Sequence, residues 1–333
     1  MTTPTRIMQM LGMSVPIISA PLGRGVTPAF LAAMHRAGGI GFIGLTHFAP
    51  DDIPALLAPV IEATGGHFGI NLSLIADKRA QLRSALACGV KIVSLWQHDP
   101  AEHVRIAKDA GATVLWTVGA PEEAARARDM GVDIVVAQGL EAGGHLVGRA
   151  PTMAQLPAIV AAANGLPVAA AGGIGDGAGI AAALALGAEA VWMGTRFVAS
   201  TEADLHEGYK SRVVAAGADD AIATKIYDIG WPDSRHRVLR NDLIAAWEAA
   251  GRPPTGARPG EGEVIGHHPD GTPSVRYHIG SATTGFKGDW AATPMYAGAS
   301  AQLVHSVKPV ADIIAELIRD AAEAAARASR ILQ

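Results

Sequence analysis

Gly131-Val132-Asp133-Ile134-Val135-Val136-Ala137-Gln138-Gly139 follows the stretch Pro121-Glu122-Glu123-Ala124-Ala125-Arg126-Ala127-Arg128 after only two residues. The earlier stretch reads as a helix, because proline and two acids suit a first turn whose N–H groups are unpaired and whose dipole favours negative charge. Gly131 stops it. Glycine takes the left-handed conformation without a Cβ penalty, so the chain can turn at once into the apolar strand that follows. The unit returns at Gly89-Val90-Lys91-Ile92-Val93, and further helix-ending glycines stand at Gly38, Gly65, Gly111, Gly165 and Gly187.

Working outward, the unit marks eight strand candidates: residues 16–20, 39–45, 68–74, 91–96, 113–118, 133–138, 167–171 and 190–193. Near-continuous apolar strands alternating with helices imply a parallel sheet covered by helices, and eight units close a barrel. The expected fold class is therefore α/β: a (β/α)8 TIM barrel over residues 1–200, with a smaller, mainly helical inserted domain and a returning C-terminal helix. The insertion, 201–290, is expected over the barrel mouth, with helices at 202–216 and 242–250 and a Gly- and Pro-dense excursion at 251–273. The segment 291–333 carries an alanine-rich helical pattern expected to pack back on the barrel.

A chain of 333 residues with 49% hydrophobic content can bury a large core. Its formal charge of -4, with 27 Lys and Arg against 31 Asp and Glu, gives no reason to expect nucleic acid or an anionic membrane as partner. The densest basic run, Arg235-His236-Arg237 with Arg240, reads as a solvated helix face. Cys88 is the only cysteine, which excludes an intrachain disulfide and multi-cysteine metal patterns and fits a reducing, cytoplasmic location. Residues 1–10 lack the shape of a signal peptide, and no apolar run is long enough to span a bilayer. Cys88 reads as packing at the barrel's stability face.

In a parallel barrel the catalytic groups gather at the carboxyl ends of the strands. That selects Ala20, Pro21, Leu22, Asn71, Trp96 to His98, Trp116, Thr117, Gln138 to His145, Gly172, Gly173, Gly194 and Thr195. His145, in Gly139-Leu140-Glu141-Ala142-Gly143-Gly144-His145, is the candidate base, since an imidazole titrates near working pH. Glycine stops after the last two strands, Gly172-Gly173 and Gly194-Thr195, offer bare amides where such barrels hold phosphate. A base and an anion cradle on one rim suggest an enzyme with a phosphorylated cofactor. Trp96 and Trp116 either wall an apolar pocket or pack between barrel and helices, and Asp99 caps the helix after Pro100.

Two motifs are set aside. Gly39-Ile40-Gly41-Phe42-Ile43-Gly44 has dinucleotide spacing, but its glycines fall within a strand instead of between strand and helix. His267-His268-Pro269-Asp270 has metal-ligand types but sits in the Gly- and Pro-rich loop, and no metal is expected.

The runs Gln138-Gly139 with Glu141 to His145, Ala170-Ala171-Gly172-Gly173-Ile174 with Asp176-Gly177, and Met193-Gly194-Thr195-Arg196-Phe197 resemble the nitronate monooxygenase family, formerly called 2-nitropropane dioxygenases. The likeness extends to Pro16-Ile17-Ile18, Phe68-Gly69-Ile70-Asn71, Glu202 with His206, Tyr209 and Lys210, and Tyr296-Ala297-Gly298. This resemblance implies non-covalent FMN, bound around Ala20, Pro21, Leu22, Asn71, Thr117, Gln138, Gly143, Gly144, Gly172, Gly173, Gly194 and Thr195. It makes His145 the catalytic histidine and implies oxidation of small nitronates, and of nitroalkanes, by O2 to a carbonyl compound and nitrite. Related flavin barrels reduce quinones or enoyl thioesters with NAD(P)H, and a flavin-free barrel binding a phosphate ligand is the third reading. A homodimer is compatible with all three. The chain departs from the family pattern at Leu146-Val147-Gly148, where Arg-Gly is common, and at Trp96-Gln97-His98-Asp99-Pro100, where a phenylalanine and glycine-rich turn is expected.

Overall fold

Eight parallel strands close into a barrel: β1 (Ile17–Ser19), β2 (Ile40–Gly44), β3 (Gly69–Ser73), β4 (Ile92–Trp96), β5 (Thr113–Val118), β6 (Ile134–Gln138), β8 (Val168–Ala171) and β9 (Ala190–Met193). β7 (Gly144–His145) lies outside that ring. The computed structural model describes residues 3–332; Met1, Thr2 and Gln333, which bound the expected domains, lie outside the described residues. Each barrel strand falls at its expected place. β9 pairs with β1 through Ile18↔Trp192 and Ser19↔Met193, which closes the ring.

Between the strands run α2 (Pro28–Arg36), α3 (Ile53–Thr64), α4 (Arg79–Ala87), α5 (Ala101–Asp109), α6 (Pro121–Ala127), α7 (Thr152–Ala162) and α8 (Gly177–Ala185). Gly89 and Gly131 adopt φ of 89° and 81°, the left-handed turn from which each strand springs. Most aliphatic residues fill the layer between strands and helices. A second cluster fills the barrel interior, where α1 (Arg6–Leu11) contributes Ile7, Met8 and Leu11 alongside Ile18, Phe42, Leu115 and Val136. The Gly39 to Gly44 glycines lie in and beside β2, where a Cβ on Gly41 would strike Leu31 of α2 and one on Gly39 the Ile17 carbonyl, so these two serve close packing.

The last helix, α12 (Val310–Leu332), buries Ile313, Ile314, Leu317 and Ala321 and packs on α8 and α2. A Cβ on Gly177 would lie 2.3 Å from the Ala321 nitrogen, so the small residues of α8 let α12 approach backbone to backbone. Glu202 accepts from the Val310 N–H through both carboxylate oxygens, at 3.1 and 3.0 Å, and caps that helix start.

The insertion is less helical than expected. After α9 (Thr195–Val198) come α10 (Glu207–Val214), β10 (Ala221–Thr224), β11 (His236–Leu239), α11 (Asp242–Ala249), β12 (Val264–His267), β13 (Pro273–Val275) and β14 (Lys287–Gly288). These strands form two small antiparallel sheets, β10-β11-β7 and β13-β12-β14. Strands of two to four residues hold too little alternation to stand out from loop sequence. The expected helix face at Arg235 to Arg237 is likewise corrected: His236 begins β11 and is fully buried, and Arg237 donates to the carbonyls of Ala221 and Leu140 at 2.9 and 3.0 Å. No helix among the described residues is long and apolar enough to cross a membrane.

Candidate active site

Strand alternation decides what the barrel mouth presents. Ile18, Phe42, Leu115 and Val136 point into the interior, so a period of two brings Ala20, Gly44, Thr117 and Gln138 to the same face one step nearer the carboxyl rim. Asn71, on β3, donates its amide to Ser94 Oγ at 3.2 Å.

His145 rises above this rim on β7, held from two sides. Its strand pairs with β11 through His145↔His236, and Leu146 N–H donates to Arg235 O at 2.8 Å. From below, the Gln138 amide donates to His145 O at 3.1 Å and accepts from Val147 and Gly148 N–H at 2.7 and 3.2 Å. Gln138 thus spends its side chain on shaping the histidine loop.

The imidazole sits in an aromatic cage. Trp231 stacks on it at 4.0 Å with 19° between planes, while Tyr296, His236 and Trp96 surround it at 5.5, 5.7 and 6.2 Å. Its Nε2 is enclosed and has no hydrogen-bond partner. Burial, then the neighbouring His236 and His47, pull its pKa down to about 3. Burial also pulls His236 down to about 4 and lowers His47. The ring is therefore neutral near pH 7.

The glycine stops meet the histidine loop. Gly172 and Gly173 take φ of 97° and 74°, and a Cβ on Gly172 would press on Ala142 N at 3.0 Å. The N–H groups of Gly172, Gly173, Gly194 and Thr195 donate to no acceptor among the described residues, as an anion cradle requires. Thr195 Oγ accepts from Gly298 N–H at 2.9 Å, and a Cβ on Gly143 would stand 2.4 Å from that same nitrogen. The three motifs are thereby one packed assembly.

Ala20, Pro21 and Leu22 stand half-buried on the rim, with Ala20 and Leu22 beside Gly194. Of the loop glycines, Gly143 is required by backbone packing, whereas Gly144 faces open space at φ of 72°. Glu141 accepts from Thr152 N–H at 2.9 Å and caps α7, outside the imidazole's contacts. Asp99 accepts from Ala101 N–H at 3.0 Å at the start of α5. Cys88 is half-buried against the main core at the end of α4.

Trp231, His47 and the role of His236 were missed from sequence. They come from a loop, a turn and a strand far apart in the chain, and their one common signal is aromatic or imidazole character in segments rich in glycine and proline. An orphaned imidazole nitrogen, four free amides and a rim of half-buried backbone together fit a cofactor with a phosphate at one end and a polar ring at the other.

The sequence profile of the nitronate monooxygenase family matches residues 77–320. A nitronate monooxygenase of Paraburkholderia phytofirmans is 31% identical over 366 residues, covering 94% of each chain. A (3aS,4S,5R,7aS)-5-hydroxy-7a-methyl-1-oxo-octahydro-1H-indene-4-carboxyl-CoA dehydrogenase of Mycobacterium tuberculosis is 32% identical over 251 residues, covering 74% of this chain and 69% of its own. Among solved structures, FabK from Thermotoga maritima superposes with a TM-score of 0.81 at 28% identity, covering 99% of this chain and 100% of its own.

Proposed function

Because this chain belongs to the nitronate monooxygenase family of oxidoreductases, we propose that it is an FMN-dependent enzyme that oxidises alkyl nitronates with O2 to a carbonyl compound and nitrite. The observation that carries this reading is the enclosed, unpartnered Nε2 of His145 above a rim whose free amides suit a phosphate. The flavin, when bound, supplies the electron acceptance that no side chain offers.

The chain's own groups do the rest. The N–H groups of Gly172, Gly173, Gly194 and Thr195 would hold the phosphate, and Ala20 to Leu22 with Asn71 would contact the ring system. Gln138 holds the backbone of residues 145–148, so that the imidazole keeps one orientation. Trp231, Trp96 and Tyr296 exclude water around it, which strengthens any hydrogen bond it makes.

A group with a pKa of about 3 is a weak base. General bases work best when their pKa lies near the operating pH, so His145 is poorly matched to pulling an α-proton from a neutral nitroalkane. As a neutral imidazole it is well placed to donate a hydrogen bond to the oxygen of a nitronate that arrives already ionised. The preferred substrate is therefore the nitronate, a small molecule taken together with O2 in the reducing cytoplasm.

Purified protein should be yellow, and a simple alkyl nitronate under air should yield nitrite; flavin-loaded protein inert to such nitronates would refute the reading. The likeness to a carboxyl-CoA dehydrogenase and to FabK favours a second reading, thioester redox chemistry at the same imidazole. Anaerobic bleaching of the flavin by NADH or NADPH, with none by a nitronate, would select it.

A further inference from the structure

The two places where the sequence leaves its family pattern, the Trp96 to Pro100 turn and the Leu146 to Gly148 loop, come together in space. Gln97, His98, Leu146, Val147 and Gly148 line one cavity of about 440 Å³ at the carboxyl ends of β4 and β5. That volume lies within the range of small-molecule sites. The cavity begins one residue beyond the imidazole.

Its chemistry is that of an anion site. Arg149 and Arg235 stand on its edge, both exposed, and neither guanidinium forms an ion pair or hydrogen bond among the described residues. The wall holds Thr117 and the Trp116 indole, whose Nε1 is enclosed without an acceptor. The one carboxylate, Glu123, already accepts from Gly119 N–H at 2.6 Å, leaving two cations against one anion. Gln97 and His98 both adopt positive φ, 67° and 51°, a strained pair for residues with side chains, of the kind that persists at functional sites.

We infer that this cavity binds the phosphorylated nucleotide end of a large redox partner: an adenosine diphosphate bearing one further phosphate, as in a coenzyme A thioester or in NADPH. Paired guanidiniums recognise phosphate through fork-shaped donation, and a single carboxylate would leave most of the volume and the indole N–H unused. The reacting end of such a molecule would lie toward His145. The inference goes beyond nitronate oxidation and its readout is ligand binding, so it stands or falls separately.

Calorimetric titration of the flavin-loaded protein at about 0.15 M ionic strength, where surface charge is well screened, tests it with two probes, adenosine 3′,5′-bisphosphate and adenosine 2′,5′-bisphosphate. At least one should bind, with a Kd raised about tenfold or more by Arg149→Ala and by Arg235→Ala. Tighter binding of the 3′ isomer identifies the thioester, and of the 2′ isomer the nicotinamide nucleotide. Trp116→Phe, which keeps an aromatic ring and removes the donor, should weaken the same probe. Failure of both probes to bind at millimolar concentration, or binding unchanged in both arginine variants, would overturn the inference. Nitrite release from a small alkyl nitronate should stay within about twofold of wild type in the arginine variants. A matching loss there would mean that the arginines serve the reacting centre and would also overturn it.

Discussion

At the scale of single residues, the role proposed for His145 falls to a buried ring. His145→Ala should retain flavin but lose roughly a hundredfold or more in turnover, the range of one positioned acid-base or donor group; flavin absorbance and nitrite release measured on one sample check both parts. Burial also ties this ring and His236 to stability. Their folded pKa values, about 3 and about 4, lie below the ordinary 6.5, so between those values and 6.5 the unfolded chain takes up protons that the folded chain refuses. Their contribution is complete above about pH 6.5 and is lost as pH falls toward 3. Thermal unfolding midpoints should fall steadily from pH 7 to pH 4, and His236→Gln should flatten that slope; a flat wild-type profile would contradict it.

Trp231 belongs to the same scale. It stacks on His145 and meets Trp96 edge-on at 5.6 Å, between residues with positive φ at Gly230 and Asp233. Trp231→Ala should open the cage and shift relative kcat/KM toward bulkier nitronates by about tenfold, the worth of a few buried contacts in a specificity pocket. Trp231→Phe should shift it far less. Nothing in the linear order of residues ties position 231 to position 145. His145 itself was legible because a strand, two glycines and an imidazole sit in one short run.

Among the elements, the histidine loop shows how the end of one strand shapes the segment that follows it. The family resemblance implies flavin contact with the backbone around Gln138, and the structure adds that its side-chain amide is committed to residues 145–148. Gln138→Leu leaves the Val147 and Gly148 N–H groups without an acceptor, at a cost of about 1–3 kcal/mol for each buried group. The variant should unfold at lower temperature and lose kcat while binding flavin near normally, which separates a positioning residue from a ligand. Seven of the eight barrel strands were visible because a glycine stop precedes a short apolar run, and β1 because of its apolar run alone. β7 and β11 were not visible, because strands of two and four residues hold too little alternation to be read without their partners.

For the whole molecule, α12 completes the helical shell that the repeat began. Its apolar face packs on α8 and α2, more than a hundred residues distant in the chain. Leu317→Ala, at a buried position, should cost about 2–5 kcal/mol. Chemical denaturation read by far-ultraviolet circular dichroism checks this, and a loss under about 0.5 kcal/mol, the size of an ordinary surface substitution, would mean the helix is not part of the cooperative unit.

The barrel and its strand order follow from local signals: glycine after a helix, apolar runs of fixed length and their repetition. Such signals act through backbone conformation and burial within a few residues, and a linear chain displays them openly. The cage around His145, its depressed pKa, the commitment of Gln138 and the cavity joining residues 97, 116, 149 and 235 arise only when distant segments meet. Desolvation and hydrogen-bond competition depend on which atoms surround a group, and folding settles that across loops that carry no period of their own.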